Sequence, residues 1–204
     1  MTQAAKSVAG LRIVPLTPRL WPQFERLFGE RGACGGCWCM TPRLKRSDYE
    51  RGKGEANKRS MKKLVDSGQT TGVLALKSGR AVGWCSIEPR ERILSLQRSR
   101  SFRPLDDRPV WSIVCLFIER SSRRQGLSGR LIEGAADHAR RQGARIVEAY
   151  PVRPLRGTMP DVFAYPGPLT AYLRAGFRVV ARPSPGRAIV RRDLSSSRPR
   201  RRNP

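Results

Sequence analysis

Leu116-Phe117-Ile118-Glu119-Arg120-Ser121-Ser122-Arg123-Arg124-Gln125-Gly126-Leu127-Ser128-Gly129-Arg130-Leu131 is the stretch that decides the architecture. It closes an apolar segment, passes through a short basic turn with a glycine, and opens a helix. Val110 to Ile118 is apolar enough to be a central strand, buried on both faces. The helix is expected from about Gln125 or Gly126 to Gln142. Leu127, Leu131, Ala135 and Ala139 form its buried stripe, and Gly143 sits at its stop. A helix start exposes unpaired main-chain N–H groups and a partial positive charge, so an anion sits well there. Gly126 lets the backbone approach that anion closely. Arg123 and Arg124 add full charges at the rim, and Ser128 keeps the next turn small. The same residues also fit a plain strand-to-helix connection that binds nothing, and the motif alone does not separate the two.

Outward from this stretch the chain alternates. Leu11 to Leu16 reads as a first strand. Thr17-Pro18 reads as a cap with proline at the first helical position, ahead of an apolar stripe of Leu20, Phe24, Leu27 and Phe28. A Gly/Cys-rich loop spans Gly32 to Met40. Ser47 to Glu50 has the capping-box spacing. A basic helix, or a pair of helices weakened at Gly52 and Gly54, follows to Ser67. Gly72 to Lys77 and Ala81 to Glu88 form a hairpin pattern. The Arg- and Ser-rich segment from Pro89 to Pro109 reads as a long polar loop or flap. Ala144 to Ala149 is the next strand, and a Pro-rich loop runs to Pro168. A short helix from Leu169 to Ala175 and two strands, Phe177 to Ala181 and Arg187 to Arg192, complete the pattern. This predicts an α/β (α+β) fold: a mixed, mostly antiparallel central sheet with helices on both faces. Residues 1–194 are read as one domain. The tail from Ser195 to Pro204 has no apolar content and reads as disordered and basic.

A length of 204 residues allows one domain with a sizeable core. No run of about eighteen apolar residues is present, so no membrane span is expected. The start of the chain lacks a signal-peptide pattern, and a cytoplasmic protein is expected. The net charge of +25 attracts polyanions, including nucleic acid or a polyphosphorylated ligand. A nucleic-acid module would interleave aromatics with its basic residues or carry a reader motif, and neither is found. The five cysteines are odd in number, which argues against a disulfide framework.

The pattern Arg123-x-x-Gly126-x-Ser128, with Tyr172-Leu173-Arg174-Ala175-Gly176-Phe177 downstream, resembles the GNAT (Gcn5-related) N-acetyltransferase superfamily. Ser128 replaces the small Gly or Ala usual at the end of the first motif, and Gly129 follows it. The resemblance runs from about Leu11 to Leu194. It implies an enzyme of acyltransferase type that uses acetyl-CoA as acyl donor and a small-molecule or protein amine as acceptor, attacked directly, in a monomer or homodimer. By the same resemblance Leu116, Phe117 and Ile118 lend main-chain hydrogen bonds to the pantetheine arm. Arg123, Arg124, Gln125, Gly126, Leu127, Ser128 and Gly129 wrap the pyrophosphate, and the strands on either side of the helix splay apart to admit the thioester. A catalytically inactive acyl-CoA binder is the alternative within the family. A basic nucleic-acid-binding protein is the alternative outside it.

Acyl transfer to an amine needs a neutral amine, whose cation has a pKa of roughly 10, and so a base or water chain. The departing thiolate gains from a proton donor, and Tyr172 holds the family position for one. Tyr172 also suits ordinary core packing with its hydroxyl at the edge. Glu88, at the end of the hairpin, is the candidate base, ahead of Glu148. His138, the only histidine, reads as structural. Cys34, Cys37 and Cys39 lack a second ligand pair, so no metal is expected. An acyl-cysteine has no histidine near it in sequence to activate it. Trp38 and Trp84 are the expected walls of the acceptor pocket.

Overall fold

The computed structural model describes residues 10–69, 71–152 and 165–195. The tail beyond Ser195 and most of the Pro-rich loop read from the sequence lie outside these residues. Seven strands form one sheet. In chain order they are β1 (Leu11–Pro15), β2 (Gly72–Lys77), β3 (Arg80–Pro89), β4 (Trp111–Ile118), β5 (Ile146–Ala149), β6 (Arg178–Ser184) and β7 (Arg187–Asp193). Their spatial order is β1-β2-β3-β4-β5-β7-β6. Only β4 and β5 run parallel; every other pair is antiparallel. The parallel pair is joined by the helix α5 (Leu127–Arg141), as parallel neighbours require. The mixed, mostly antiparallel sheet read from the sequence is therefore the observed one.

The helices divide between the two faces. Leu127, Leu131, Ile132, Ala135 and Ala139 of α5 pack with Val73, Cys85, Ile87, Ile113 and Val147 of the strands. The short α6 (Leu169–Arg174) joins this layer through Ala171 and Tyr172. On the other face α1 (Trp21–Phe28) and α3 (Glu55–Asp66) cover Leu74, Leu76 and Trp84. Phe24 is the centre of this second core. It is fully buried, with ring centroids 4.0 Å from Phe28, 4.9 Å from Trp84 and 5.3 Å from Trp21.

Two local expectations are corrected, and one left open is decided. The capping box at Ser47 is not used: α2 (Arg46–Arg51) begins one residue earlier, with Lys45 at its cap and no side-chain cap bond. The basic segment divides at Gly52 and Gly54 into α2 and α3, the second of the two arrangements open from sequence. The stretch from Pro89 to Pro109 is not a bare flap. It contains a 3₁₀ turn (Arg90–Arg92) and a one-turn helix α4 (Leu94–Gln97), pinned by buried Ile93 and Leu96. The apolar side chains of this segment, Ile93, Leu94, Leu96, Phe102 and Leu105, are too sparse among Arg and Ser to show a period.

Truncating Phe24 to alanine removes a ring from a filled aromatic cluster. Unfolding in urea is expected to show a loss of about 3–5 kcal/mol. A loss below about 1 kcal/mol would mean that this face collapses around the gap.

Candidate functional site

The site begins where two strands part. β4 and β5 pair only through Trp111↔Val147, Ser112↔Glu148 and Ile113↔Ala149. Beyond Ile113 the β5 side of β4 has no strand partner. On its other side β4 stays paired to β3, but with an irregularity: Ser86 faces Cys115 and Ile87 faces Ile113, which leaves Val114 as an extra residue. Such a bulge bends a strand and re-aims its side chains. The parting opens a cavity of about 920 Å³ whose wall includes Val114 to Ile118. Arg123 and Ser128 border it where β4 gives way to α5. Cys34, Cys37 and Cys39 also line it, with Phe28, Tyr49, Leu96 and Phe102.

The Arg123 end is the helix start read from the sequence. Gly126 caps α5 in the left-handed region, at φ 76°, and contributes no side-chain cap bond. Arg124 is also left-handed, at φ 60°. The first-turn N–H groups, at Leu127, Ser128 and Gly129, have no carbonyl one turn back to bond. Left-handed residues beside helical ones turn successive N–H groups toward a common point, which suits an anion. A Cβ built on Gly126 would meet nothing within 4 Å, so the approach is open. These features fit a diphosphate. Arg123 also donates from Nε to Ile118 O at 3.0 Å, which ties the turn to the end of β4.

The middle of the cavity is partly filled by the chain itself. Leu116 N–H donates to Tyr165 O at 2.6 Å, and Tyr172 donates its hydroxyl to Pro166 O at 2.8 Å. A Cβ on Gly167 would lie 2.5 Å from Leu116 Cδ1 and 3.1 Å from the Tyr172 ring. The Tyr165–Pro168 segment thus lies between β4 and α6, over the Tyr172 hydroxyl. Tyr172 is fully buried, and burial raises its pKa.

Three residues picked from sequence stand elsewhere. Trp38 and Trp84 are not cavity walls. They are 2% and 0% exposed, within the aromatic core, where Trp38 stacks on Phe28 at 5.7 Å. Their size was legible, but not that α1 would cover them. Glu88 is not on the cavity either. It is buried against Arg43, with Nη2 2.6 Å from its Oε1, and it lacks the approach angle of a hydrogen bond. Burial lifts its carboxyl to about 7, against the opposing pull of Arg43. His138 is buried and meets Trp111 edge-on, away from the cavity.

Two groups were not legible. Glu148 accepts from Tyr150 Oη at 2.5 Å, Arg90 Nη1 at 3.1 Å and Arg191 Nε at 2.7 Å, and Tyr150 lines the cavity. The second is the surroundings of Cys39. Its Sγ accepts from Trp84 Nε1 at 3.3 Å and from Arg43 Nη1 at 3.5 Å. Arg43 Nη1 also donates to Cys39 O at 2.6 Å, and Nη2 to Ser86 Oγ at 3.0 Å and Thr71 O at 3.1 Å. Arg43 lies outside every motif read from the sequence. Among the described residues no group of His, Cys, Asp and Glu has a metal-binding arrangement.

A family model, the acetyltransferase (GNAT) family, matches residues 38–156. No curated protein matches the chain. Among solved structures it resembles a GNAT-family acetyltransferase from Streptococcus agalactiae, with TM-score 0.56, 12% identity and coverage of 93% of this chain and 99% of that one. It also resembles the PaiA N-acetyltransferase from Thermoplasma acidophilum in complex with coenzyme A, with TM-score 0.51, 12% identity and coverage of 90% and 99%. A Drosophila melanogaster polyamine N-acetyltransferase gives TM-score 0.54, 16% identity and coverage of 90% and 100%. Identities this low establish a common fold and leave the acceptor open.

Glu88 gives a pH test of the buried pair. Its carboxyl ordinarily titrates near 4.5 and in the folded chain near 7. The unfolded chain therefore releases this proton first as pH rises, and the group's contribution to stability is lost between about pH 4.5 and 7. Glu88→Gln removes that dependence. Urea unfolding of both proteins across the window is expected to show the parent losing ground to the variant as pH rises. A constant gap would contradict the raised pKa.

Proposed function

This chain belongs to the GNAT acetyltransferase family and is an acyltransferase, and from that premise we propose that it moves the acetyl group of acetyl-CoA to a primary amine. The acceptor is a small molecule or an amine on a protein. One observation carries the donor assignment. The uncapped first turn of α5 opens into the same cavity that follows the unpaired half of β4. A ligand with a diphosphate at one end and a long thioester arm needs those two features joined.

The residues divide the work along that arm. Main-chain N–H groups of residues 125–129 take the diphosphate oxygens, with the helix dipole adding to the attraction. Arg123 and Arg124 hold positive charge at the rim. Leu116 to Ile118 offer strand hydrogen bonds to the amides of the pantetheine. The Leu116 N–H bonded to Tyr165 O is the group the arm competes for, so binding shifts Tyr165 off β4. The same shift moves Pro166 and frees the Tyr172 hydroxyl, which then donates its proton to the departing thiolate. A main-chain N–H near the Val114 bulge polarises the thioester carbonyl. The amine gives its proton to water and then attacks the carbonyl. The polyamine acetyltransferase with this fold makes a small polycationic acceptor one class to screen.

Two outcomes are expected. Acetyl-CoA raises the melting temperature, and salt weakens the effect because it screens the phosphates. Gly126→Glu abolishes the rise by placing a carboxylate in the anion's path. An undiminished rise in that variant would remove the loop from the site. Tyr172→Phe is expected to lower turnover, read as CoA release on an amine panel, by about 10- to 100-fold with little change in acetyl-CoA affinity. Parent-like turnover with chemistry rate-limiting would take Tyr172 out of the mechanism.

A further inference from the structure

The cavity beside β4 has one sign of charge. Among the described residues that line it, Arg123 and Arg187 carry a formal charge, and no Asp or Glu is present. Arg123 is tied to the turn into α5 by its bond to Ile118 O. Arg187 is half-buried and begins β7. A bridge sets it opposite Val152, three residues past Ala149, where β5 last pairs with β4. It therefore stands beside the parted stretch. Ile189, two residues further along β7, packs with Leu96, Val114 and Tyr150. The two-residue period of a strand puts Arg187 on that same face. The nearby Arg90 and Arg191 are both neutralised there by Glu148. Arg187 differs from them: among the described residues no carboxylate pairs with its guanidinium.

The wall around this charge is apolar. Ring centroids lie 5.5 Å apart in Phe28 and Phe117, and 4.9 Å apart in Phe102 and Tyr150. All four rings border the cavity, as does Val114 at the bulge of β4. A pocket of this kind takes an apolar body, and its few polar groups fix the orientation. A guanidinium free of protein partners offers two parallel N–H donors that match a carboxylate. A second ammonium on the acceptor would find no counter-charge among the described residues. Holding a cation unpaired against an apolar wall is costly.

We infer that the acceptor is an amine that carries an aromatic or other apolar body together with a carboxylate, and that Arg187 holds the carboxylate. This assignment rests on the acetyl-CoA reading above and keeps direct attack by the amine. It narrows the acceptor to one class and sets it against a polycation. The apolar body lies among the rings of Phe28, Phe102 and Phe117. Arg187 acts as a specificity-determining residue, since it meets the part of the acceptor that does not react.

The test compares matched acceptors at saturating acetyl-CoA, with CoA release as readout: phenylalanine, phenylalanine amide and spermidine. The acid-to-amide ratio of kcat/KM is followed from the parent to Arg187→Gln and Arg187→Glu. The two amines differ in basicity, but that difference is the same for every enzyme and cancels between them. The ratio is expected to fall by about 10- to 100-fold in Arg187→Gln, as for loss of a charge-assisted bond. It is expected to fall further in Arg187→Glu, while spermidine gains relative to phenylalanine. A variant that is merely damaged loses activity on both aromatic amines and leaves the ratio unmoved. An unmoved ratio overturns the carboxylate assignment and marks Arg187 as a solvated charge at the rim. A parent that turns over spermidine faster than both aromatic amines, or that acetyl-CoA stabilises but that acetylates none of the three, overturns the acceptor class and leaves the donor reading intact. A parent that acetyl-CoA does not stabilise overturns the donor reading itself.

Discussion

The parting of β4 and β5 after Ile113 and Ala149 is the constraint on which the rest of the structure depends. Two parallel strands would ordinarily stay paired to satisfy their main-chain groups. Here the second half of β4 gives up that pairing, and Leu116 N–H finds Tyr165 O instead. The Val114 bulge contributes by bending β4 at the point of divergence. The cavity, its apolar wall and its access to the start of α5 all follow from this one break in the sheet. The polar groups exposed by the break are the ones a pantetheine arm can use.

Much of the fold was legible because strong periodicity marks it. Val110 to Ile118, the α5 stripe and the hairpin of Gly72 to Glu88 were placed within a residue or two, whereas β6 runs three residues past the expected Ala181. The turn into α5 was legible because glycine, arginine and a helix start coincide in a short window. What was missed depends on tertiary contact. Trp38 and Trp84 were read as pocket walls from the family resemblance, but Phe24 and Phe28 of α1 pack against them. Glu88 looked like a base at a strand end, yet Arg43, far away in the chain, folds onto it. The surroundings of Cys39 were hidden too: its sulfur accepts from Trp84 Nε1, far away in the chain, and from Arg43 Nη1.

The large positive charge has a partial account. A few arginines work inside the structure: Arg43 at Cys39, Arg90 and Arg191 around Glu148, and Arg123 at the end of β4. Arg191 further binds Asp106, whose carboxyl is held down by Arg108 first and Arg191 second. This network fixes the segment between β3 and β4 against the end of β5, beside Tyr150 in the cavity wall. Buried ion pairs of this kind specify an arrangement more than they stabilise it. Most of the remaining basic residues among those described are solvent-facing.

Backbone-amide NMR during a titration with coenzyme A tests the central claim most directly. The account predicts that the amide resonances of residues 125–129 and of Leu116 shift together and saturate at one affinity, while those of β1 and β6 stay in place. Saturable binding that leaves the start of α5 unmoved would contradict it.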